Sequence, residues 1–146
     1  IGAGELKRAK KTMTTGLMIA LGISALVFLI VEIFPRELLT LFTSETDVVE
    51  TGITFLRLAA SEYMIVTPVF CMNGLAIGAG YTNVALLNAI SSSIIIRVPL
   101  AYLLVRVFDL GFNGIGIAMG FAPIVSLFIG IIFVQSGKWK KAKIRL

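Results

Sequence analysis

The sequence contains no histidine and a single cysteine, Cys71. Without an imidazole there is no histidine-based metal site or proton relay, and one cysteine cannot close an intrachain disulfide. Cys71 lies in an apolar run, where a thiol behaves as a small hydrophobe. Charge is equally sparse. Only 14% of the 146 residues are Asp, Glu, Lys or Arg, against about a quarter in an ordinary globular chain. Residues 63–96 carry no charge at all. Catalytic signatures are missing too: there is no HExxH, no GxSxG and no cysteine cluster. GAGELK, from Gly2, lacks both the GxxxxGK pattern and the preceding strand of a phosphate loop. The expectation is a protein that is no enzyme and holds no metal or tightly bound cofactor.

What the chain has in quantity is oil. It is 58% hydrophobic, with a mean hydropathy of +0.98. About 20 helical residues at 1.5 Å each cross the roughly 30 Å hydrocarbon layer. The runs here are that long, and they do not alternate as spanning β-strands would. The sequence therefore predicts an all-α, polytopic membrane protein with four transmembrane helices, over about residues 12–34, 57–77, 82–105 and 111–134. Pro35 should stop the first span, since it lacks an amide and clashes with the preceding turn. Residues 35–43 (PRELLTLFT) read as a short amphipathic piece at the membrane surface. Ser44 with Asp47 suggests a capping box opening a new helix near Glu45. GAGYTN (78–83) is a very short polar turn between spans two and three. Pro68 and Pro123 should kink their helices.

Lys and Arg placement gives orientation. Four of the 13 lie in the first 11 residues and five in the last nine; the first and third loops hold Arg36 and Arg106, and the 78–83 turn none. This bias puts both tails in the cytoplasm, which demands an even number of spans. No basic stripe with stacking aromatics marks a nucleic-acid partner; the expected partner is membrane lipid. Ile1 opens the sequence without an initiating Met, as expected of a piece of a longer protein.

Small residues suggest where helices meet. Gly16, Ala20 and Ser24 recur at four-residue spacing in span one, and Gly74 with Gly78 in span two. Span four has Gly116 with Gly120 and a series Ala118, Ala122, Ser126 and Gly130. Of these seams, Gly116, Gly120, Gly74 and Gly78 are the main packing candidates.

Two charges stand inside spans. Glu62 falls roughly 7 Å beyond Arg57 along the helix. A carboxylate there must be paired, hydrated or neutral, and one that gains and loses a proton carries it; the alternative is an interfacial Glu facing headgroup water. Arg97 lies roughly 13 Å below Arg106. Because spans two and three are antiparallel, Glu62 and Arg97 can share a depth and pair directly or across a wet cavity; otherwise Arg97 anchors carbonyls freed by Pro99. Arg57, at the span edge, should snorkel outward. Asn73, Asn88 and Ser91, Ser92 and Ser93 either line a polar route or bond between helices. Tyr63 and Phe70 offer ring faces to an aromatic cation.

Seven stretches, in order, resemble the multidrug and toxic compound extrusion (MATE) family of transporters: GAGELKRAKK (2–11), FPRELLTLFTSETDVV (34–49), FLRL (55–58), GAGYTN (78–83), RVPLAYLL (97–104), GFNGIGIAMG (111–120) and SGKWKK (136–141). The resemblance implies the last four helices of such a transporter, part of its second six-helix lobe. It implies a cation-coupled multidrug efflux antiporter of the cell (inner) membrane, with sodium ion or proton as the coupling ion, organic cations as substrates and the remaining helices of the same transporter as partners. The superfamily also contains lipid-linked saccharide flippases, so that cargo stays open, as does a small membrane assembly protein without transport activity. Some members carry an acid in the helix matching span two; it would fall near Val66, one turn past Glu62. The acid site is then absent, shifted by a turn or supplied by another lobe. Many members also have an acid before the turn Thr, where this chain has Tyr81.

Overall fold

In the computed structural model, which describes residues 1 and 3–141, every long apolar run is a helix. Gly2 of the GAGELK stretch, and Lys143 and Arg145 of the basic tail, lie outside the described residues. Helix α1 is Leu6–Ile33. It ends where expected, because Pro35 cannot continue it and instead opens the short helix α2, Pro35–Thr40, at its first position. Helix α3 is Thr46–Gly78 and runs through Pro68. It begins well before Arg57: the hydrogen-bonded helix outlasts the apolar span, because its first turns rest on α2, with Val49 buried and Gly52 beside Leu39. The capping box does not form. Glu45 occupies the N-cap position without a side-chain cap, and its amide donates to Thr43 Oγ1 at 3.2 Å.

The turn after α3 is closed by two backbone bonds, Tyr81 N–H to Ala76 O at 2.8 Å and Gly80 N–H to Ile77 O at 2.9 Å. This is the Schellman pattern, which needs a left-handed residue just past the helix, and Gly80 supplies it at φ 80°. The third long helix is not uniform. It consists of α4, Thr82–Ile90, a π-helical segment, Ser91–Ile96, and α5, Arg97–Arg106. Arg97 N–H reaches five residues back to Ser92 O. Helix α6 is Gly111–Gln135. Gly137, at φ 66°, then turns the chain into a short 3-10 helix, Lys138–Lys140.

Four long helices result, each apolar and long enough to span a bilayer. The chain is thus an all-α, multi-pass membrane protein. Large apolar side chains such as Met18, Ile23, Phe70 and Phe128 point outward, the arrangement that suits a hydrocarbon solvent. Helix α3 packs against α1 on one side and α6 on the other, and α6 also carries α5. Lying between two neighbours, α6 needs small residues on two faces. A Cβ added at Gly116 would lie 3.0 Å from Leu58 Cβ of α3, and one at Gly114 would lie 3.1 Å from the Leu104 backbone of α5. Gly130 is held as closely against Met72 of α3, and Ala118, Ala122 and Ser126 are buried between these contacts.

Among the described residues Gly116 and Gly120 thus lie at a helix contact, whereas Gly74 and Gly78 meet no neighbour. No neighbouring atom comes within 4 Å of where their Cβ would stand; both sit on the exposed side of α3, turned away from α6. Of the span-one seam, Gly16 is open in the same way, while Ser24 is hydrogen-bonded to Thr67 of α3. Beneath the Schellman turn, Leu75, Ala76, Ala79, Phe133 and Trp139 form a buried cluster, and Trp139 Nε1 donates to Val134 O at 3.1 Å.

Gly116→Val is expected to destabilise the protein by about 1–3 kcal/mol through overpacking, lowering its thermal midpoint in detergent. Gly74→Ala should leave the midpoint unchanged or raise it, since an open helical glycine gains about 0.5–1 kcal/mol from alanine.

Candidate functional site

Glu62 is on α3, sixteen positions before the end of that helix, and Arg97 opens α5. The antiparallel pairing around the 78–83 turn sets them at one depth. They form an ion pair through Arg97 Nη2 and Glu62 Oε1. Both are largely withdrawn from the surface, the Glu62 side chain being 15% exposed and that of Arg97 31%. The contact uses one nitrogen and one oxygen. Arg97 Nε is buried and finds no acceptor among the described residues.

The π segment is what aims Arg97. In an α-helix, positions nine apart differ by about 180° in direction, so an inward Asn88 would send Arg97 outward. The π segment takes up one residue of rotation, which leaves the two about 80° apart, and both face inward.

A cavity of about 390 Å3 lies beside the pair, walled by α3, the third long helix and α6. Of the residues singled out in the sequence, Glu62, Tyr63, Asn73 and Arg97 line it. Phe70 joins them from α3, and Ser92 and Ser93 from the π segment. Tyr63 and Phe70 are both exposed, so their rings are available to a bound molecule. Asn88 does not line the cavity. It is fully buried behind it, where its Nδ2 donates to Asn73 Oδ1 at 2.9 Å. Its carbonyl, at the junction of α4 and the π segment, accepts from Ser126 Oγ at 3.1 Å. Asn88 thus ties three helices together behind the cavity wall, while Asn73 both lines the wall and anchors it.

Ser126 is the residue the sequence reading missed as part of this site. It stood in the small-residue series of span four, and its hydroxyl was the only signal separating it from Ala118 and Ala122. Arg57 also departs from expectation. Rather than reaching to headgroups alone, it holds the end of α1, with Nε 3.4 Å from Glu32 Oε2 and Nη2 donating to Glu32 O at 3.0 Å. Arg36 and Glu50 form a third, exposed pair. Among the described residues no group of three or more Cys, Asp or Glu could hold a metal ion.

The site thus gathers a compensated carboxylate, a partly unsatisfied guanidinium, the Asn73 amide and two open aromatic faces around one small cavity, with Asn88 buried behind it.

Among known proteins, the profile of the MatE family matches residues 1–103. Over 140 residues the chain is 26% identical to the "Probable multidrug resistance protein NorM" of Thermotoga maritima, covering 96% of this chain and 30% of that protein. Over 113 residues it is 32% identical to the "Probable multidrug resistance protein YpnP" of Bacillus subtilis, covering 77% of this chain and 25% of that protein. The chain spans under a third of the length of these curated relatives. No solved structure matches it.

The π geometry makes a specific expectation. Deleting Ile94, an outward-facing residue of the π segment, should restore α-helical bonding and keep Arg97 facing Glu62. Inserting one alanine at the same place should turn Arg97 away by about 100°. With Cys71→Ala as background, Glu62→Cys and Arg97→Cys joined by a short thiol cross-linker will report it: cross-linking survives the deletion and is lost on insertion.

Proposed function

Because the chain belongs to the MatE family, we propose that it is a segment of a cation-coupled multidrug efflux antiporter, which exchanges organic cations for sodium ions or protons. In this reading the four helices are the last four of the second six-helix lobe, and both basic ends face the cytoplasm, in keeping with the positive-inside bias. The curated relatives, named as probable multidrug resistance proteins, support the cargo class.

The observation that carries the proposal is the Glu62–Arg97 pair at the edge of the cavity. A carboxylate this far into a span needs a compensating charge, and Arg97 provides it through a single contact. A pair that leaves Arg97 Nε without an acceptor is incompletely satisfied, and such pairs contribute little net stability. A cation entering the cavity therefore competes with Arg97 for the Glu62 carboxylate. Whichever species takes Glu62 releases the guanidinium, and the contact between α3 and α5 loosens. Tyr63 and Phe70 present π faces to an organic cation in the same space, an interaction worth about 0.5–2 kcal/mol. Binding of coupling ion and binding of drug then draw on one carboxylate, which is the condition for exchange. Asn88, Asn73 and Ser126 hold the rear wall while this happens.

Dye efflux by the whole transporter that contains this segment, driven by a sodium or a pH gradient, tests this. Glu62→Gln and Arg97→Gln should each cut efflux by about tenfold or more, and the double variant should fall no lower than the worse single one, because the two act as a unit. Glu32→Ala, at the span edge, should retain most activity. Simple additivity would remove the paired role. Failure of the unaltered protein to export dye under either gradient, together with translocation of a lipid-linked saccharide, would assign the flippase cargo instead.

A further inference from the structure

One side of α1 changes from basic to apolar along its length. Arg8, Lys11, Thr12 and Thr15 stand at positions i, i+3, i+4 and i+7, so they share a face. The same face continues through Ile19, Ile23, Leu26 and Ile30, all exposed. Two clefts meet on it. One, of about 520 Å3, is formed by Arg8, Lys11, Thr12, Thr15 and Gly16. The other, of about 600 Å3, runs between α1 and α3 from Arg8 and Thr12 past Gly16 to Cys71 and Gly74. Gly16 and Gly74 hold it open, with no atom within 4 Å of a Cβ position at either.

The polar groups at its head are unused. The ion pairs among the described residues join Arg36 to Glu50, Arg57 to Glu32 and Arg97 to Glu62, so neither Arg8 nor Lys11 has a carboxylate partner there. Thr14 spends its hydroxyl on Lys10 O at 2.9 Å, whereas Thr12 and Thr15 direct no side-chain hydrogen bond to any described residue. The head therefore offers two cations and two hydroxyls, with the Glu5 carboxylate on the wall of the second cleft as the one opposing charge, so that the net charge of the head stays positive. Ile19 to Ile30 then covers about 16 Å of helix, half of the roughly 30 Å hydrocarbon layer. That is the depth of one leaflet.

We propose that this face binds one anionic phospholipid, its phosphate on Arg8 and Lys11 with Thr12 and Thr15 as donors, and an acyl chain along Ile19, Ile23, Leu26 and Ile30. The charge pattern selects this occupant. A zwitterionic lipid carries its own ammonium beside the phosphate and adds no net charge to offset the two cations, whereas an anionic lipid offsets one of them. Inorganic phosphate uses the head and leaves the apolar stripe uncovered. A further helix of the same protein would have to bring carboxylates to Arg8 and Lys11 and partners for both hydroxyls. Basic pockets between helices at a membrane surface suit anionic headgroups.

The test uses the full chain, delipidated in detergent and examined by native mass spectrometry with phosphatidylglycerol or phosphatidylcholine of matched acyl chains. The unaltered protein should retain phosphatidylglycerol preferentially. Arg8→Gln with Lys11→Gln should reduce that preference roughly ten- to thirtyfold. Lys7→Gln with Lys10→Gln removes the same charge from the other side of the helix and should leave the preference intact. Equal loss in both double variants, or no preference in the unaltered protein, would overturn the proposal. So would displacement of the lipid by millimolar inorganic phosphate alone. A benzophenone amino acid placed at Ile23 in the membrane supplies an independent reading. A lipid adduct supports the site, and cross-linking to another helix of the chain or to a second copy refutes it.

Discussion

The approach of α6 to α3 sets the distances on which everything else depends. In hydrocarbon there is no water to drive helices together, so their separation is decided by the size of the side chains between them. Gly116 and Gly120 place the α6 backbone directly against Leu58 and Ser61. Gly114 does the same for α5 on the other face. With α6 held close to both, α3 and α5 come near enough for an ion pair to bridge them. Larger residues along α6 would move Glu62 and Arg97 apart, although neither belongs to that helix.

Polar contacts then divide by depth. At one rim, Arg57 with Glu32 and Arg36 with Glu50 lie where water is available, and such exposed pairs are worth about 0–1 kcal/mol. They fix the ends of helices and little more. The Asn73–Asn88–Ser126 set lies deeper and is almost wholly enclosed, with Asn88 and Ser126 buried. Interhelical hydrogen bonds of this kind average about 0.6 kcal/mol in membrane proteins, so their value is positional. The Glu62–Arg97 pair lies between these regimes. It is withdrawn enough for its charges to matter to each other and open enough, beside its cavity, for another charge to intervene.

Four spans, their turns and the shared depth of Glu62 and Arg97 were all legible in the sequence. Hydrocarbon imposes a length and an absence of charge that composition displays directly, and the 78–83 turn fixes which residues oppose each other. The π segment was not legible. Ser91–Ile96 reads as ordinary apolar helix, because its signature is a hydrogen-bond register rather than a residue type. Asn88 was read as either a route residue or an interhelical bond, and it makes the bond, since four-residue spacing tells which residues share a face but not which helix that face meets. Gly74 with Gly78 has the same spacing as Gly116 with Gly120. Only the three-dimensional arrangement shows that one pair faces a neighbour and the other open space. Ser126 was hidden by its own seam, where its small size explained its presence before its hydroxyl was considered.

The cluster beneath the Schellman turn has a mechanical corollary. Trp139, Phe133 and Ala79 bind the Lys138–Lys140 turn, α6 and the α3–α4 connection into one knot. For a rocking of the third helix against α3 about that knot, displacement would grow along the lever arm. The Glu62–Arg97 contact lies about 24 Å away along α3. At that radius a tilt of about 3° parts the two side chains by roughly 1.3 Å, enough to carry a hydrogen bond past its working range.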